Sequence, residues 1–106
     1  MKQGDTSKGS TNALHDLALE DAQELTVKTQ LAMKLNALID SRRLSQAEVA
    51  RLTGMHQPRV SAIRHYKLQN ISLERLMLAL VALDQRIEIT VREARHRHAG
   101  GITVAA

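Results

Sequence analysis

The 106-residue chain contains no cysteine, no phenylalanine and no tryptophan, and only one tyrosine and one proline, Tyr66 and Pro58. Without cysteine there is no disulfide framework and no thiolate metal site. Without aromatic rings the core has to be built from Leu, Ile, Val, Ala and Met. Stacking of bases on exposed rings, the usual grip on single strands and RNA loops, is also disfavoured. No apolar run approaches the roughly 20 residues that span a bilayer. Met1–Ser10 holds no apolar segment of signal-peptide type, so a cytoplasmic protein with no membrane partner is expected. No glycine-rich phosphate loop or nucleophile motif is present. Acid pairs such as Glu20-Asp21 read as charges favoured at a helix start. No enzyme and no cofactor are therefore expected. His15, His56 and His65 lack ligand spacing, and His96-x-His98 lies in a basic stretch without acid or thiol partners, so no metal site is expected either.

What is present is a chain of one-domain size with a net charge of +4. The distribution of that charge is more telling than its total. Residues 1–40 carry four Lys against six Asp and Glu, a net of −2. Residues 41–67 carry Arg42, Arg43, Arg51, Arg59, Arg64 and Lys67 against Glu48 alone, a net of +5. Residues 68–106 carry five Arg against four acids, a net of +1. Positive charge is thus concentrated on one short segment, as a phosphate backbone requires.

Residues 1–18 read as a flexible tail, Gly/Ser/Thr/Lys-rich up to Asn12, with Leu14, Leu17 and Leu19 as a short docking element around its end. Asp21-x-x-Glu24 resembles a capping box. The stripe Leu31, Leu35, Leu38 and Ile39 predicts a first helix over about 21–41. Ser45-x-x-Glu48 is a clearer capping box, with Leu44 and Val49 placed as a hydrophobic staple. The helix it opens runs to about Leu52 and stops at Gly54, a residue suited to a left-handed cap. A third helix spans about Gln57–His65, with Pro58 tolerated in the first turn. Ser72 caps a fourth, whose buried stripe is Leu73, Leu76, Leu80 and Leu83.

The second and third helices are the informative pair. A steep helix crossing needs a small residue at the contact and a glycine at the turn, and Ala50 and Gly54 supply them. Val49, Met55, Val60 and Ile63 converge on the core. With Val60 and Ile63 inward, the ~100° step per residue turns Pro58, Ser61, Ala62 and His65 outward. Gln57, Arg59 and Arg64 lie on the flanks. Gln can bond adenine N6/N7 and Arg can fork to guanine O6/N7 in a major groove. Gln46 stands where the backbone N–H groups of a helix start meet a phosphate.

Residues 44–83 resemble the Xre-type, phage-repressor-like helix-turn-helix. The matching residues are Ser45-Gln46-Ala47-Glu48-Val49-Ala50, Gly54, Val60-Ser61-x-Ile63 and Ser72-Leu73-x-x-Leu76. The resemblance implies a phosphate clamp at Gln46 and a groove-facing set of His56, Gln57, Pro58, Arg59, Ser61 and Ala62. Where that family often has Glu and Gly after the recognition helix, this chain has Arg64, His65 and Tyr66. That departure makes Arg64 and Lys67 candidates for further phosphate contacts. The preceding helix, the Gln57-Pro58-Arg59-Val60-Ser61 run and the alternating segment near the C-terminus also resemble HigA-like antitoxins, which are encoded beside a small ribonuclease-type toxin.

That alternating segment, Arg86-Ile87-Glu88-Ile89-Thr90-Val91-Arg92, predicts a strand. A lone strand needs a partner. One candidate is the same strand of a second subunit, with Ile87, Ile89 and Val91 as the dimer interface; the other is Gly101-Ile102-Thr103-Val104 in an internal hairpin. The expected fold is an all-α helix-turn-helix bundle of four to five helices over 19–92, with a dimerisation strand at 86–92 and a flexible tail at 93–106. Two recognition helices about one DNA turn apart, ~34 Å, would read a palindromic operator. The expected function is a double-stranded-DNA-binding repressor, as the autoregulating antitoxin of a type II toxin-antitoxin module. Its acidic, partly apolar segment from Leu14 to Glu24 is a candidate contact for the toxin. The alternatives are a stand-alone phage-like regulator and an interaction module that uses its helices without DNA; the basic motif argues against the last.

Overall fold

The computed structural model describes residues 11–98 and 100–105, and over them the chain forms four α-helices: α1 (Thr11–Arg42), α2 (Gln46–Thr53), α3 (Gln57–Arg64) and α4 (Leu73–Ala82). The expected tail at 1–10 lies outside the described residues. Residues 11–18, also assigned to that tail, form the start of α1, about ten residues earlier than Asp21-x-x-Glu24 suggested. Ala13, Leu14, Leu17, Ala18, Leu19 and Glu20 are all strong helix formers, so the helix has no reason to wait for a capping box. Asp21 and Glu24 sit inside it.

The core is aliphatic, as the missing aromatics require. Leu31, Leu35 and Ile39 of α1 are buried with Val49 of α2, Val60 and Ile63 of α3, and Leu76, Ala79 and Leu80 of α4. Met55, Leu68, Ile71 and Leu83 fill the gaps from the connections. Leu38, Leu44, Ala50 and Leu73 are half-buried against this cluster. Two interhelical contacts dominate: α1 lies on α4 and α2 lies on α3.

Helix ends follow local rules closely. Ser45 caps α2 with the full reciprocal pair: Glu48 N–H donates to Ser45 Oγ at 3.1 Å, and Ser45 N–H donates to Glu48 Oε1 at 2.8 Å. Ser72 Oγ accepts from Arg75 N–H at 3.1 Å and opens α4. At the other ends, α1, α3 and α4 share one device. Leu44 N–H bonds Ile39 O while Arg43 N–H bonds Asp40 O; Lys67 N–H bonds Ala62 O while Tyr66 N–H bonds Ile63 O; Gln85 N–H bonds Leu80 O while Asp84 N–H bonds Val81 O. Each is the 6→1 and 5→2 pairing that closes a helix through one left-handed residue. Here those residues are Arg43, Tyr66 and Asp84, with φ of 55°, 59° and 68°. Glycine would be the unstrained choice at each.

The expected strand is not formed. Among the described residues there is no strand, and 86–92 is irregular. Ile87 is half-buried against the core, but Ile89 and Val91 are 76% and 90% exposed. The internal hairpin is absent as well: 101–104 is not a strand, although Val104 packs on the core. Period-two alternation supplies one apolar face, but a strand also needs a neighbour for its backbone N–H and C=O groups. Among the described residues none is offered here.

Candidate nucleic-acid interface

α3 is presented by the turn before it and the loop after it. Gly54 ends α2 at φ 77°, ψ 8°, and its N–H bonds Ala50 O at 2.9 Å. A Cβ at Gly54 would meet nothing within 4 Å, so the position calls for glycine through its backbone angle alone. Thr53 Oγ1 donates to Val49 O at 2.6 Å and accepts from Met55 N–H at 3.3 Å, which pins the turn. His56 is the extended N-cap of α3, and Pro58 lies in the first turn. Val60 and Ile63 are buried, which fixes the opposite face outward.

That outward face lines two shallow hollows. In the first, His56, Pro58, Arg59 and Ala62 of the α3 side oppose Lys67, Gln69, Asn70 and Ile71 of the loop that follows. The second is formed by Gly54, Met55, His56 and Arg59 with Arg75 from the first turn of α4. No carboxylate lines either hollow, whereas Arg59, Lys67 and Arg75 do. A concave, cationic surface centred on one exposed helix face fits the convex, anionic edge of a nucleic-acid duplex.

The structure therefore gathers His56, Pro58, Arg59, Ala62 and Lys67 around one hollow, with Gln57 exposed and Ser61 half-buried on the same helix. Gln46 is exposed at the first position of α2. Arg64 departs from this set. Its Nη2 donates to Asp40 Oδ1 at 2.6 Å, and its Nη1 donates to Asn36 Oδ1 at 3.0 Å and to Asn36 O at 3.3 Å. The guanidinium is thus turned back onto α1. His65 Nδ1 lies 2.8 Å from Ser61 O, folding that ring along its own helix.

Sequence reading missed Gln69, Asn70 and Arg75. Only the polar Gln-Asn pair between the apolar Leu68 and Ile71 signalled an exposed loop tip, and nothing in the local pattern signalled Arg75. Glu48 serves the scaffold rather than the hollows. The Ser45 backbone N–H bonded to it, and then the Ser45 side chain, hold its carboxyl below the ordinary 4.5, with Arg51 assisting. Among the described residues, no three His, Asp or Glu side chains gather as metal ligands, and no helix is long and apolar enough to cross a membrane.

Comparison with known proteins agrees with this geometry. A family model described as a helix-turn-helix domain matches residues 13–92. A solved structure described as an XRE-family transcriptional regulator superposes with a TM-score of 0.75 at 53% identity, over 81% of this chain and 98% of the other. No curated protein matches. With four-fifths of its length aligned at that identity, and its helix-turn-helix intact from Ser45 to Ile63, the chain belongs to the XRE-type helix-turn-helix family.

Proposed function

We propose that this DNA-binding regulator is a repressor that docks α3 in the major groove of a two-fold operator as a homodimer, and that it is the antitoxin of a type II module. The observation that carries the DNA reading is the pair of carboxylate-free hollows around α3, which share Arg59 and add Lys67 to one and Arg75 to the other. Gln57 and Arg59 supply base contacts. Gln46 and Lys67 hold phosphates, and Pro58, Ser61 and Ala62 allow the helix to approach closely. The antitoxin reading is supported by charge: residues 1–40 have a net of −2, with Asp21 and Glu24 exposed on α1. An acidic segment complements the basic surface a ribonuclease needs for RNA. The homodimer reading is supported by Ile89 and Val91, apolar and exposed in the single chain, where a second copy would cover them.

The test uses duplex DNA from upstream of the coding sequence. Binding should weaken with salt, with a log–log slope of about −0.9 per phosphate neutralised. Gln57→Ala and Arg59→Ala should each cost ~1–3 kcal/mol on the preferred duplex and much less on random duplex. Equal losses on both would reduce these residues to phosphate contacts. Co-expression with the neighbouring small reading frame tests the antitoxin role. If no complex forms, the protein is a stand-alone regulator.

A further inference from the structure

Three polar side chains of α1, the buried Lys28 and Asn36 and the exposed Asp40, meet the end of α3 or the loop after it. Asn36 is 6% exposed, in a core that is otherwise aliphatic. A buried amide is costly unless its polar atoms are bonded, and here they are. Nδ2 donates to Ile63 O at 3.1 Å, a carbonyl of the last turn of α3 that also accepts from Tyr66 N–H. Oδ1 accepts from Arg64, which also reaches the Asn36 main-chain carbonyl and, one helical turn further along α1, Asp40. The fork of the guanidinium thus spans a turn of α1 while its own backbone ends α3. Two turns earlier, Lys28 is buried, and its Nζ donates to Leu68 O at 3.3 Å and pairs with Glu24 at 3.1 Å. Helix α1 therefore grips the chain on both sides of the 65–67 turn, where Lys67 and, just beyond Leu68, Gln69 and Asn70 line the hollow.

This arrangement matters because α3 is only eight residues long. So short a helix has little stability of its own, and its pitch is set by what it packs against. Val60 and Ile63 anchor it by apolar contact, which tolerates sliding. Directional bonds to one end do not.

We propose that Asn36, Arg64 and Asp40 form a strut that sets the pitch of α3 against α1, so that Arg64 is a positioning residue for base readout and not a ligand of DNA. The proposal rests on α3 being the recognition helix. The two roles for Arg64 predict opposite signs when Asp40 is removed. If Arg64 is a strut, releasing it loosens α3 and harms recognition. If Arg64 is a phosphate contact restrained by Asp40, releasing it strengthens binding. Asp40 has a side chain 67% exposed, so its loss leaves the core intact.

The experiment first selects a high-affinity duplex from a random-sequence pool with the parent protein. Affinities for that duplex and for a random duplex are then measured across salt for the parent, Asp40→Ala, Arg64→Met and Arg64→Lys, with folding checked by circular dichroism. The strut predicts a loss of about two- to fivefold on the selected duplex for Asp40→Ala, the range of an exposed ion pair, with no loss on the random duplex. Arg64→Met should lose more on the selected duplex at an unchanged salt slope, and Arg64→Lys should behave like Met because Lys lacks the planar fork. The proposal is overturned if Asp40→Ala binds the selected duplex as well as or better than the parent. It is also overturned if Arg64→Met flattens the slope by about 0.9 and Lys restores it, the mark of a phosphate contact. If Arg64→Met does not fold, Asp40→Ala decides alone. A parent protein that selects no duplex would remove the recognition reading, and the strut with it, whereas a selective parent with unaffected variants removes the strut only.

Discussion

Replacing Gly54 by a graded series, Asn, Ala and Val, isolates the cost of one backbone angle. Gly54 sits at φ 77°, and a Cβ there would touch nothing within 4 Å, so steric crowding drops out of the sum. What remains is the left-handed penalty, roughly 1–2 kcal/mol for an L-residue. Against it stands the reduced freedom of the unfolded chain, about 0.4–1 kcal/mol in favour of the substituted residue. The net for Gly54→Ala is a loss of roughly 0–1.6 kcal/mol, about 0.8 kcal/mol at the midpoints. At ~4–8 °C per kcal/mol for a domain near this size, the midpoint loss lowers the melting temperature by roughly 3–6 °C. Asn should lose less, because its short polar side chain visits this region more readily. Val should lose more, because branching at Cβ restricts its rotamers as well. Thermal melting followed by circular dichroism, with duplex binding in parallel, reads the series. A Val variant as stable as the parent would mean that the turn does not need the left-handed angle. A loss beyond about 3 kcal/mol would mean that the side chain meets atoms that the structure leaves clear.

Glu48 gives a pH signature. Its folded pKa lies below the ordinary 4.5 because it accepts the Ser45 N–H, so the carboxylate stabilises α2 above that value and the contribution is lost as pH falls through the lowered folded pKa. Glu48→Gln keeps an amide oxygen for the same bond but cannot titrate, so the gap between melting at pH 7 and in acid should narrow; an unchanged gap would place the acid sensitivity elsewhere. Leu35 is fully buried on α1, and Leu35→Ala should cost ~2–5 kcal/mol by denaturant titration; a cost under 1 kcal/mol would contradict its place at the centre of the core. Ile89→Asp should leave the stability of the single chain within about 0.5 kcal/mol, since that side chain is largely exposed, yet it should weaken self-association in sedimentation. A dimer untouched by Ile89→Asp would move the interface away from 86–92.

Much of the fold was legible because it is local. The capping box at Ser45 and Glu48 closes over three residues. The Gly54 cap closes over four, and the stripes Leu31-Leu35-Ile39 and Leu76-Leu80-Leu83 follow from helical period alone. Interactions of that range are specified by residue identity and spacing, whatever the rest of the chain does. The face of α3 followed from the same rule, since burying Val60 and Ile63 leaves Pro58 and Ala62 turned outward. Where contacts join distant segments, spacing is silent. Arg64 looked like a free cation on a basic segment, but its partner Asp40 lies 24 residues earlier, and only the packing of α1 beside α3 brings them together. Gln69 and Asn70 joined the first hollow because the loop folds back beside α3, held by Lys28 at Leu68 O, and Arg75 joined the second because α4 packs beside α2. Tyr66 occupies a left-handed position that favours glycine, held there by paired backbone bonds to Ala62 and Ile63. The alternation of 86–92 was read correctly as pattern and wrongly as strand. A pattern decides which side chains could share a face, but pairing requires another backbone at hydrogen-bond distance, and tertiary structure alone determines whether one is there.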